Sequence, residues 1–240
     1  HLFWWIESSL APLLEADPDL AGLLRFERQR WARPTGWPDL FASLRDLRAR
    51  QFDWVIDLQG LARSALFGWL ANSGLFVGLD NPGEGGRDGA RAFYDLRPPR
   101  CAPGTHAVDR YLAVLPLLGV PVHDRFQWLP ERPPVAAAVR AKWNADGARW
   151  LVLLPGARWT TKRWPAEHFA ELVRGVASDF ADLRFVILGS RAEAALAQPI
   201  AAACPERVLD LTGQTSLPEM VEWLRLSQLV VTNDTGPMHV

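Results

Sequence analysis

The chain alternates short apolar runs with longer stretches in which apolar residues recur every three or four positions. The first pattern predicts buried strands, the second amphipathic helices. Residues 2–6 (LFWWI) read as a strand, as do 53–57 (DWVID) and 75–77 (LFV). Leu40, Leu44 and Leu47 keep helical spacing, and residues 61–70 and 106–118 also read as helices. Residues 81–89, rich in glycine and charge, read as a loop. Residues 129–134 (LPERPP) are the best linker candidate, because proline breaks both periodic patterns. Residues 135–144 then predict a helix leading into the second half.

The second half is cleaner. Strands are predicted at 150–154, 185–188, 208–211 and 229–231. Between them lie three helices. The first, 165–176, places Phe169, Leu172, Val173 and Val176 on one face, and Pro165 suits its first turn. The second is 193–203. The third follows Ser216-Leu-Pro-Glu219, a capping box ahead of Met220, Val221 and Leu224. Strands alternating with helices predict an α/β protein with a parallel, doubly wound sheet. In such sheets ligands sit at the carboxyl ends of the strands, here the loops 155–164, 189–193 and 233–239.

Those loops carry the candidate chemistry. Residues 232–239 (TNDTGPMH) follow an apolar strand and open a helical turn, so free backbone N–H groups and the helix dipole face outward to an anion. Asp234, Thr235, Gly236 and His239 lie in this turn. The loop 155–164 (PGARWTTKRW) carries Arg158, Lys162 and Arg163, a set able to neutralise a diphosphate without a metal. A solvated basic loop would look the same; the second polar turn on the same sheet favours a ligand. Glu193 opens a helix. It fits a ribose diol, and it equally fits an acid complementing the helix dipole.

Composition narrows the class. Apolar residues are 49% and charged residues 22% of the 240, ordinary for a soluble globular protein. A formal net charge of −1 argues against a nucleic-acid partner. The two cysteines form no CxxC pair and the histidines show no metal spacing. The apolar run 112–122 is broken by Pro116, Gly119 and Pro121 and is too short to span a bilayer. The 12 tryptophans suit either a sugar-facing surface or a general compositional bias. The single DxD string, Asp17-Pro-Asp19, sits in a predicted turn and reads as structural.

The strings LLPGARWTTKRWPAEHFAEL and VVTNDTGPMH resemble the two best-marked segments of glycosyltransferase family 9, the bacterial heptosyltransferases of lipopolysaccharide core assembly. In the first half, VIDLQGLARSA, RAFYDLR and THAVDRY are similar to the members that add the first heptose to the Kdo region of lipid A. The resemblance implies a GT-B fold, two Rossmann-like doubly wound domains facing across a cleft. The division expected is 1–130 for the acceptor, 131–147 for a linker and connecting helix, and 148–240 for the nucleotide sugar. It implies an inverting, metal-independent and cofactor-free transfer from ADP-heptose to a Kdo-lipid A acceptor, in a cytoplasmic protein that can be peripheral to the inner membrane. Carried over by motif, Lys162 meets the diphosphate, and Asp234, Thr235, Gly236 and His239 hold phosphates and sugar. Glu193 takes the ribose and Thr215 lies near adenine. Arg28, Arg30, Arg33 and Arg87 fall where the family has basic residues for an acidic acceptor.

The family's catalytic base is an Asp in a Gly-Asp pair after a first strand, and no such segment occurs here. The chain is accordingly expected to be a fragment, short of a first strand and helix and of the closing helices of its second domain, with the base upstream and no turnover of its own. Two other readings stay open: a relative using another nucleotide-activated sugar, and a two-domain sugar-binding protein without chemistry.

Overall fold

The computed structural model describes residues 1–79, 89–123 and 129–240. In chain order its first elements are β1 (Phe3–Glu7), β2 (Gly22–Phe26), α1 (Arg28–Trp31), α2 (Trp37–Ala49), β3 (Trp54–Asp57), α3 (Ala62–Leu70), β4 (Leu75–Gly78) and α4 (Ala107–Leu112). Then follow α5 (Pro133–Trp143), β5 (Arg149–Leu154), α6 (Ala166–Asp179), β6 (Leu183–Ile187), α7 (Ala194–Ala201), β7 (Val208–Asp210), α8 (Leu217–Leu226) and β8 (Leu229–Thr232). Contacts divide the chain into two compact units, one of His1–Arg25 with Gln127–Val240, the other of Phe26–Phe126.

This division differs from the expected 1–130, 131–147 and 148–240. The first residues pack with the second half. Leu13 lies against the α5–α8 side of the core, and the Arg132 guanidinium donates to the carbonyls of Leu13 (2.5 Å) and Glu15 (3.2 Å). The expected connecting helix, α5, is itself a wall of that core, with Val139 buried. Strand β2 has no counterpart in the sequence reading, because a short apolar run fits a buried strand or a buried helix segment equally. Likewise the helix expected over 106–118 stops at Leu112 and resumes as a 3₁₀ turn at Pro116–Leu118. Pro116 has no N–H to continue an α-helix, and Gly119 closes the turn at φ 69°. The expected loop 81–89 lies outside the described residues except for Gly89.

In the larger unit β7, β6, β5 and β8 form one sheet in that order, with every pairing parallel. Side chains alternate along each strand. Leu151, Leu153, Phe185 and Ile187 meet α6 and α7, whose Phe169, Val173 and Ile200 complete one core. Trp150, Val152, Leu154, Val186 and Leu188 meet α5 and α8 on the other face. The indole of Trp223 fills that second core, 5.1 Å from the Trp150 ring and 5.9 Å from Trp143. Part of the tryptophan content is therefore structural. The capping box forms as expected: Glu219 accepts from the Ser216 N–H at 2.7 Å, and Ser216 accepts in return from the Glu219 N–H at 3.4 Å.

In the smaller unit β3 and β4 pair in parallel from Trp54↔Leu75 to Asp57↔Gly78. Asp57 is buried at the carboxyl end of β3. Its carboxylate accepts from Ser64 Oγ and Tyr94 Oη, both at 2.7 Å, and from the backbone N–H groups of Gln59 (2.9 Å) and Gly60 (3.2 Å).

Candidate functional site

The strand order of the larger unit fixes where a ligand fits. From β5 the chain winds outward through α6, β6, α7 and β7, then returns by α8 to β8 on the opposite side of β5. The loops leaving β5 and β8 thus diverge at a topological switch point, the place in doubly wound sheets where a crevice opens. The basic loop and the Asp-Thr-Gly turn are those two loops.

Hydrogen bonds clip them together. Asn233, only 7% exposed, accepts from the Trp164 N–H at 3.0 Å and donates from Nδ2 to the Pro155 carbonyl at 2.8 Å. Both ends of the β5 loop therefore hang on the first residue after β8. The next residue, Asp234, takes the Lys162 ammonium at 2.5 Å, and its other oxygen lies 3.9 Å from His239 Nε2. Arg163 turns back to the Ala157 carbonyl (2.8 Å) and Arg158 lies over the Trp159 ring (5.3 Å). Lys162 is thus the cation that this loop presents to the turn. Thr235 precedes the 3₁₀ turn Gly236–His239; Pro237 has no N–H and the Met238 N–H donates to the Thr235 carbonyl at 3.0 Å, so the Gly236 N–H is the donor this turn leaves for a ligand.

Glu193 joins the same region from the β6 loop. One of its oxygens caps the turn after Ser190, accepting from Ser190 N (2.6 Å) and Oγ (2.8 Å). Both roles considered for it from sequence are compatible with this, because the second oxygen, Oε1, lies against Gly156. A Cβ on Gly156 would come within 1.7 Å of that oxygen, so any side chain at 156 must displace the carboxylate. The β7 loop is tied in by Gly213, whose N–H donates to the Gly189 carbonyl at 2.8 Å; Thr215, half-buried, follows two residues later.

Lys162, Glu193, Asp234, Thr235, Gly236 and His239 thus occupy loops at the carboxyl ends of β5, β6 and β8, with Thr215 beyond β7. Asn233 and Gly156 were not singled out from the sequence. The available signals were the Asn next to Asp234 and the Pro-Gly pair directly after β5. In the smaller unit Arg28 and Arg30 lie on α1 and Arg33 just after it, all exposed, with Arg30 ion-paired to Asp39 at 2.5 Å. Arg87 lies outside the described residues. Asp17 forms a local turn, accepting from the Asp19 N–H at 3.0 Å, which agrees with a structural DxD string.

The Lys162 ammonium, bonded to it, holds the Asp234 carboxyl below the ordinary carboxylate range, with His239 adding to the effect. A lowered pKa means the pair is fully present above about pH 4, the unperturbed value, and is lost as pH falls through the depressed one. In Lys162→Ala the Asp234 carboxyl should titrate at higher pH than in the parent protein. Carboxyl carbon NMR titration measures this; equal midpoints in the two proteins would rule out a direct pair in solution.

Solved structures of the same architecture define the class. The glycosyl transferase family 9 protein of Veillonella parvula superposes over 100% of this chain and 68% of its own, with a TM-score of 0.82 at 22% identity. Escherichia coli heptosyltransferase WaaC, solved with ADP-2-deoxy-2-fluoro heptose, gives a TM-score of 0.77 at 25% identity over 98% of this chain and 74% of its own. The fold is GT-B, as the resemblance implied. The sequence carries the assignment further: the family model for glycosyltransferase family 9 (heptosyltransferase) matches residues 40–240, and the chain belongs to that family. Lipopolysaccharide heptosyltransferase 1 of Pseudomonas aeruginosa is 30% identical over 254 residues, covering 99% of this chain. The lipopolysaccharide core heptosyltransferase OpsX of Haemophilus influenzae is 20% identical over 240 residues, covering 100% of it. The chain spans 65% and 66% of the length of these two relatives.

Proposed function

We propose that this protein is a glycosyltransferase that moves heptose from ADP-heptose to the Kdo-bearing inner core of lipopolysaccharide, with inversion and without a metal, at the cytoplasmic face of the inner membrane. The observation that carries the donor half is the Lys162–Asp234 pair at the β5–β8 switch point. Cleavage of the sugar–phosphate bond leaves negative charge on the diphosphate. Lys162 and the Gly236 N–H are preorganised to stabilise that charge. A carboxylate cannot itself hold a phosphate, so Asp234 orients Lys162 and accepts from sugar hydroxyls. Glu193 accepts from the ribose diol, and Thr215 lies toward the base. The ADP-2-deoxy-2-fluoro heptose bound by the E. coli relative supports an ADP-linked heptose as donor. The exposed Arg28 and Arg33 support an acidic acceptor.

The test is calorimetry with ADP in EDTA. ADP should bind, and Lys162→Ala should weaken it by roughly 1–3 kcal/mol, the range for losing a hydrogen bond to a charged group. Binding only on addition of magnesium would count against this chemistry. ADP release measured with ADP-heptose and with other nucleotide sugars then decides the sugar.

A further inference from the structure

We propose that one face of α2 docks the protein on an anionic phospholipid surface. Trp37, Phe41, Arg45 and Arg48 follow one another at helical spacing and form a single stripe. Trp37 is 51% exposed and Phe41 64%; both arginines are exposed as well, Arg48 with one N–H donated to the Leu70 carbonyl at 3.3 Å and its remaining donors outward. The stripe lies beside the core-facing row of Leu40, Leu44 and Leu47, so α2 keeps its own packing while presenting two aromatics outward. Charge is segregated across the helix. Its acids, Asp39 and Asp46, lie about half a turn away from the stripe, at a spacing set by 3.6 residues per turn. Each is also neutralised by an arginine outside the stripe, Asp39 by Arg30 at 2.5 Å and Asp46 by Arg50 at 3.1 Å. What faces outward is aromatic and positive, in a chain whose formal net charge is −1.

Aromatic rings at headgroup depth beside arginines that meet lipid phosphates are the chemistry of a helix lying in a membrane interface. The 13 residues of α2 are too few to cross a bilayer. A bilayer is preferred over a protein partner because the acceptor proposed above is lipid-anchored, and to that extent the inference rests on that reading. It also differs in kind from the exposed Arg28 and Arg33, which were assigned to the acceptor's own charges.

The experiment is co-sedimentation of the protein with vesicles of phosphatidylcholine alone and of phosphatidylcholine with one-quarter phosphatidylglycerol. The anionic vesicles should bind the protein, less so at high salt, and the neutral ones much more weakly. Trp37→Ser/Phe41→Ser should lower affinity for anionic vesicles by tenfold or more. Arg45→Glu should lower it by about fivefold for each charge unit changed. Hydrogen exchange of β3, α3 and β4 should match the parent protein, which shows that the smaller unit of the variants folds, and ADP calorimetry should be unaltered. Equal binding to both vesicle types, or undiminished sedimentation of the double variant, would overturn the proposal. So would a dimer in ultracentrifugation that the double variant abolishes, since the stripe would then belong to a second copy. Loss of ADP binding in the parent protein alone would sink the enzymatic reading and leave the vesicle result to stand by itself.

Discussion

Asn233→Ala should destabilise the larger unit by about 2–4 kcal/mol and weaken ADP binding at least as much as Lys162→Ala does. One buried and one partly buried hydrogen bond are lost together, and their partners, the Pro155 carbonyl and the Trp164 N–H, have no replacement supplied by alanine. An orphaned buried group costs roughly 1–3 kcal/mol. The effect on ADP follows because these bonds set the loop carrying Lys162 against the turn carrying Asp234. Asn233→Asp separates packing from hydrogen bonding. It preserves size and the bond to Trp164, but it turns an acceptor toward the Pro155 carbonyl. Its stability and ADP affinity should fall well below those of the parent. An ADP affinity in both variants within twofold of the parent would show that the clip does not position the site.

Asp57→Ala should destabilise the smaller unit by about 3–5 kcal/mol. The carboxylate accepts four hydrogen bonds at the end of β3, and bonds to a charged acceptor are the strong kind. Its removal takes away the acceptor that the Ser64 and Tyr94 hydroxyls share at 2.7 Å, although Ser64 Oγ also reaches the Leu61 carbonyl at 3.0 Å. The Tyr94 ring has little freedom to shift, since it lies over Gly78 so closely that a Cβ there would come within 2.2 Å of it. With two units, a single global unfolding curve is ambiguous, so hydrogen exchange by mass spectrometry is the better measurement. Amides of β3, α3 and β4 should exchange about a hundredfold faster or more. Those of β5 and β6 should be unchanged, and equal protection throughout would mean Asp57 is not the anchor of its unit.

Much of the larger unit was legible in its sequence. The four strands fell within a residue or two of prediction, because each carries a run of consecutive apolar residues, buried along most of β5 and β6 and half-buried in β7 and β8. The capping box at Ser216 was readable because it is local chemistry. The placement of the candidate site residues in loops at strand ends was legible, and Lys162, Asp234 and Glu193 were picked out by a family pattern. The smaller unit was harder to read. Its short strands carry little periodic signal, and Pro116 broke a helix that spacing alone had extended.

By itself the sequence determined the family, the parallel α/β class and the polar turns that end its strands, since these depend on local pattern and on residue types at fixed spacing. Tertiary structure decided the rest. Only the sheet order, with β8 beside β5, brings Lys162 to Asp234, residues 72 apart in sequence. Only side-chain geometry shows that Asn233 clips the two loops and that Gly156 leaves room for Glu193. The grouping of the first 25 residues with the second half was equally invisible, because it rests on Leu13 and Arg132 meeting across more than a hundred residues. Periodicity records which face of an element is buried; it carries no information about which distant element buries it.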